Sequence, residues 1–215
     1  MPFPRSDLDL VTTLPKNFAF KTPEPEDIDE EGFGFFRGVW PIVGGSLDYA
    51  RELAAREREL ADIVATIATD EAEFDLIASD VEVFDPEENE EEFFSFIEPR
   101  DAGRLKSSLY DAPLLDGLEL GVAGLVTALA AVGTYPAASC RGHVGPQAWA
   151  TYPTVFFASD LQLALALEPL VAESGCGFRD GSANGESLMI IESQSLVEAM
   201  QLTERILASE QAFKQ

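Results

Sequence analysis

The chain has 215 residues, enough for one large domain or two small ones, with an ordinary 46% of hydrophobic residues and a formal charge of −25. That charge excludes non-specific attraction to nucleic acid or to an anionic membrane, which would both repel the chain, and it favours basic partners. It is uneven: residues 1–116 hold 29 acids against 10 bases, a net of −19, and residues 117–215 hold 10 against 4, a net of −6.

Residues 1–31 carry Pro2, Pro4, Pro15, Pro23 and Pro25 and end in a run of acids, which predicts an extended arm. The aromatic stretch from Phe33 to Trp40 fits a short strand or a docking loop. Ser46 caps a predicted helix running to about Ile67, with Leu53, Leu60, Ile63, Val64 and Ile67 on one face. Asp80 to Phe84 alternates polar and apolar, which suits a short strand or extended link. Asp85-Pro86 is a helix start, followed by acids and then Phe93, Phe94, Phe96 and Ile97.

Beyond Asp116-Gly117 the pattern is more regular. A helix over about 118–132 is apolar nearly all round and closes at Gly133. The run from Leu118 to Val132 contains Glu119 and is too short to span a bilayer, so no membrane is expected. Tyr135 to Cys140 and Thr154 to Ala158 read as strands, and Asp160 caps a helix that ends at Gly175. Cys176 to Arg179 and Ser187 to Ile191 make a hairpin around Asn184-Gly185, and Ser195 with Glu198 opens the last helix.

The predicted organisation is an extended arm over 1–31, an acidic, mainly helical region over 32–116, and an α+β domain over 117–215. The last runs helix, strand, strand, helix, strand, strand, helix, as a small mixed or antiparallel sheet with helices on one face. Two cysteines make no disulfide framework, and the start of the chain shows no apolar leader, so a reduced, cytoplasmic setting is expected.

One stretch concentrates chemistry. Ser139-Cys140-Arg141-Gly142-His143 brings a hydroxyl, a thiol, a guanidinium and the chain's only histidine to a strand end. The long loop behind it carries Trp149 and Tyr152 as further ligand contacts. Three chemistries fit. Cys140 is a nucleophile with His143 as base. Or Cys140, His143 and Cys176 hold a metal, which requires a carboxylate to complete the set; no metal is expected on this count. Or Arg141, His143 and the turn amides bind a small anion, with Ser139 and Gly142 lining the site. The plain structural alternative is a buried Cys140, an Arg141 paired with a local acid and a His143 that caps a carbonyl. Asp160 is explained as a helix cap, and it joins the site only if the flanking strands run parallel.

From Leu118 to Asp160 the chain resembles a group of uncharacterised bacterial proteins. The shared elements are Gly124-Leu125-Val126-Thr127-Ala128-Leu129, the Ser139–His143 turn and Val155-Phe156-Phe157. The same block is distantly similar to the tRNA wybutosine-synthesising protein 3 family, methyltransferases with a Ser-Cys-Ser-Gly-Arg turn, a Trp and a strand ending in a polar pair. Here Arg141 stands for the second Ser and His143 for the Arg, with Trp149 and Ser159-Asp160 following in order. The resemblance implies a fold; the charge of −25 opposes the tRNA substrate.

The function expected is therefore a ligand- or partner-binding protein using the Ser139–His143 turn for a small anion. An enzyme using Cys140 and His143, and an acidic protein that binds a basic partner, are the alternatives. The sequence names no cofactor.

Overall fold

The computed structural model describes residues 2–24, 26, 28–29, 32–33, 36–37, 45–85, 87–88, 90–97, 103–110, 115, 117–144, 150–182 and 187–213. Three two-residue strands, β1 (Ile28–Asp29), β2 (Gly32–Phe33) and β3 (Phe36–Arg37), form a small antiparallel ribbon. Helices α1 (Leu47–Ile67), α2 (Glu71–Glu82), α3 (Glu90–Ile97), α4 (Gly103–Tyr110) and α5 (Ala123–Ala131) follow. The remainder is β4 (Tyr135–Cys140), β5 (Thr154–Ala158), α6 (Leu161–Ser174), β6 (Cys176–Asp180), β7 (Met189–Ser193) and α7 (Leu196–Ala208).

The fold is α+β. Strands pair antiparallel throughout in the order β4-β5-β7-β6. Val155, Phe157, Phe178, Met189 and Ile191 join α5, α6 and α7 in one buried cluster, so the helices cover one face. Pro136 sits on the edge strand β4 beside a register shift, where a missing N–H costs no ladder bond. Among the described residues, no helix is long and apolar enough to cross a membrane.

Several helix ends follow the predicted side chains. Ser46 accepts from the Tyr49 amide at 3.0 Å and Asp160 from the Leu163 amide at 2.8 Å. Gly175 closes α6 in the left-handed region. Asp85 accepts from the Glu87 amide at 2.8 Å, but helix α3 begins only at Glu90; Pro86 lies outside the described residues, as do Asn184 and Gly185.

Two expectations need correction. Asp80 to Phe84 is not an extended link, because α2 runs through to Glu82. Phe74, Ile77, Ala78 and Val81 are buried at helical spacing, and that longer period overrides the local alternation. Second, helix α5 starts at Ala123 and not near Leu118. Its first turn is replaced by an irregular one whose amides are taken by distant carboxylates: Leu120 donates to Glu82 at 2.7 Å and Gly121 to Glu57 at 2.8 Å.

Residues 2–20 form no helix or named strand and turn at Lys16-Asn17, and they are packed on the rest of the chain. Phe3 is buried edge-on against Phe74, with ring centroids 5.1 Å apart. Val11 accepts from the Phe178 amide at 2.7 Å, which covers the outer edge of β6. Apolar residues on both sides of position 116 share a core: Leu60, Val64, Phe74 and Ile77 cluster with Leu120, Ala123 and Met200.

Candidate functional site

Strand β4 delivers the turn to a gap between α2 and the residues before α5. Gly142 adopts φ +80°, and a Cβ there would stand 2.5 Å from the Tyr152 backbone. Only glycine fits, because the Tyr152 backbone ahead of β5 lies against it. The His143 amide then donates to the Ala150 carbonyl at 3.1 Å and closes the base of the loop.

Arg141 turns inward. Its side chain is 0% exposed, and Nη2 lies 2.7 Å from Asp75 Oδ1 and 2.8 Å from Ser79 Oγ. Nη1 is bonded to Glu82 Oε1. Asp75, Ser79 and Glu82 stand four and three positions apart on α2, so one helix face supplies every acceptor. Both Nη atoms expected to receive an anion are taken inside the protein, and Nε is buried without a partner. Burial raises the Glu82 carboxyl, while Arg141 and the Leu120 amide pull it back down.

His143 lies between two acids. Its Nδ1 is 3.1 Å from Asp75 Oδ1 and 3.2 Å from Arg141 Nη2, and its Nε2 is 3.4 Å from Glu119 Oε1. Arg141 Nη2 has Asp75 and Ser79 oxygens for its two hydrogens, so Nδ1 is left to donate to Asp75. The second carboxylate oxygen of Asp75 accepts from the Val144 amide at 2.9 Å, and Glu119 Oε2 accepts from the Arg141 amide. His143 and Glu119 are the open side of the arrangement, at 28% and 29% exposed.

Cys140 is fully buried, and its Sγ receives the Gly142 amide at 3.4 Å. Burial, reinforced by the charge of Glu119, pushes its thiol up to about 12. The thiol is therefore neutral at physiological pH, the opposite of what a nucleophile needs. Its sulfur, a Glu119 oxygen and a His143 nitrogen all lie within 4.8 Å of one another.

The remaining predicted residues divide. Ser139 is half-buried on β4. Tyr152 accepts from Arg179 Nη2 at 2.8 Å and so belongs to a separate contact on the sheet. Trp149 lies outside the described residues. Cys176 is buried in β6, where it donates to the Glu198 carbonyl at 3.4 Å, so it does not join Cys140 and His143. Because β4 and β5 are antiparallel, Asp160 stays at the far end as a helix cap.

Sequence reasoning missed Asp75, Glu82 and Glu119. The first two lie on a helix that was not recognised. Glu119 did leave a signal: it is the lone charge in the apolar run from Leu118 to Val132. No family model, curated protein or solved structure matches the chain.

Proposed function

We propose that the chain is a ligand-binding protein and that its Ser139–His143 turn receives a cation. One observation carries this reading. Three carboxylates, Asp75, Glu82 and Glu119, converge on a turn whose single guanidinium is already paired. Three carboxylates face one guanidinium there, in partly buried surroundings where charge interactions are stronger than in water. An anion arriving beside Glu119 meets repulsion and finds no free fork on Arg141. The neutral Cys140 thiol weighs against a nucleophilic pair with His143.

The test is thermal unfolding at fixed ionic strength with Zn²⁺, Mg²⁺, spermidine or inorganic phosphate. The account expects at least one cation to raise the melting temperature and phosphate to leave it unchanged. Glu119→Gln should weaken the cation effect about tenfold, the loss of one contact worth roughly 1.4 kcal/mol. Stabilisation by phosphate alone, or cation effects indifferent to Glu119→Gln, would refute it.

A further inference from the structure

We infer that Glu119, Cys140 and His143 form a transition-metal site of the zinc class, with three protein ligands; this rests on the cation reading and names the ion's chemistry. The three side chains come from two segments that the fold brings together. Cys140 ends β4, His143 lies three residues on, and Glu119 precedes α5. Their ligand atoms already lie within 4.8 Å, and the His143 Nε2 to Glu119 Oε1 pair is at 3.4 Å. In a tetrahedral zinc site with bonds of about 2.0–2.3 Å, ligand atoms stand roughly 3.3–3.8 Å apart. Small side-chain rotations close the difference.

The surroundings match a metal site in a second, independent way. A ligating imidazole normally donates its other N–H to a carboxylate, which fixes the ring and its tautomer. Asp75 Oδ1 occupies that position at Nδ1, 3.1 Å away, and directs the Nε2 lone pair to the side of Glu119. Glu119 is held in turn, since its Oε2 accepts from the Arg141 amide and leaves Oε1 for the ion. Asp75 is itself fixed by Arg141 and by the Val144 amide. Arg141 thus acts as a buried counter-charge that orders the carboxylates around the site.

The ligand set decides which ion. A thiolate, an imidazole and a carboxylate favour Zn²⁺ or Co²⁺ over Mg²⁺ and Ca²⁺, which take oxygen only. On binding, the ion displaces the Cys140 thiol proton, which leaves to solvent as the metal–sulfur bond forms; no electron changes hands. Of the set weighed from sequence, Cys140, His143 and a completing carboxylate come together, whereas Cys176 faces α7 in another part of the core.

The experiment is titration of the full chain with Co²⁺, read by near-ultraviolet absorption. The expected result is one equivalent bound with a sulfur-to-cobalt charge-transfer band, displaced by Zn²⁺ and not by Mg²⁺. Cys140→Ser should abolish the band, and Cys176→Ser should retain it. Circular dichroism verifies that both variants fold, and the band in the unmodified chain is a readout that needs no variant. Co²⁺ that binds through Glu119 without a sulfur band, or with a band indifferent to Cys140→Ser, overturns the zinc-class site and leaves the cation reading standing. If Co²⁺, Mg²⁺ and spermidine all fail to bind in a Glu119-dependent way, both fall.

Discussion

Arg141 Nη2 lies 2.7 Å from Asp75 Oδ1, joining two residues 66 positions apart in the chain. This contact ties the end of β4 to the middle of α2, and the bond from Nη1 to Glu82 ties it again about two helical turns further on. The pair is almost wholly withdrawn from water, with side chains 0% and 13% exposed. Such a pair adds little over a well-packed apolar one, but breaking it strands charge in the interior.

Arg141→Met should therefore destabilise the chain by about 3–5 kcal/mol, the cost of leaving buried acids without their partner. Urea unfolding measures it. Arg141→Lys keeps the charge but cannot span both acids, so it should recover only part of the loss. A loss under about 1 kcal/mol in Arg141→Met would mean the network is not formed.

Glu57 makes a pH-dependent contribution. It is buried on α1 and caps α5 from outside, accepting from Gly121 at 2.8 Å and Gly124 at 3.0 Å. Burial lifts its carboxyl from 4.5 to about 7, against the pull of those amides. A raised folded value means the contribution is fully present below about 4.5 and is lost as pH rises through about 7. At roughly 1.4 kcal/mol per unit, the loss is about 3 kcal/mol. The difference in unfolding free energy between wild type and Glu57→Gln should change by that order across this window. A difference that stays constant would show that Glu57 does not titrate there.

Gly142→Ala should cost about 1–3 kcal/mol for the backbone angle alone, and more for the overlap with Tyr152. It should also move the imidazole of His143, one residue on, away from Glu119. Thermal melts measure the first effect, and the histidine ring signals in an NMR spectrum the second.

Phe3→Ala tests whether the arm belongs to the folded unit. Its ring is buried against Phe74, so removal should cost about 3 kcal/mol. A loose arm would show a change near zero in the urea midpoint.

Much of the fold was legible because it is written locally. Ser46, Asp160 and Gly175 mark helix ends by their own hydrogen bonds or backbone angles. Helix α2 was legible too, and was missed for want of a wide enough window. Asp70 caps it by accepting from the Glu73 amide at 2.9 Å, and Phe74, Ile77, Ala78 and Val81 carry the period. The Ser139–His143 turn is legible as a concentration of functional groups, but the acids that face it are not. Arg141 suggested an anion, and the three acids that meet the turn come from α2 and from the residues before α5, which no local pattern connects to β4. Glu57 could have been noticed as an acid on the same helix face as Leu53, Leu60 and Val64.

His143 is the only histidine in the chain, so its imidazole gives a single set of ring signals in a ¹H–¹⁵N NMR spectrum. Adding Zn²⁺ at one equivalent should shift that set or replace it with a new one, and phosphate at the same ionic strength should leave it in place. Ring signals that respond to phosphate and ignore Zn²⁺ and the other cations would contradict a cation site at this turn.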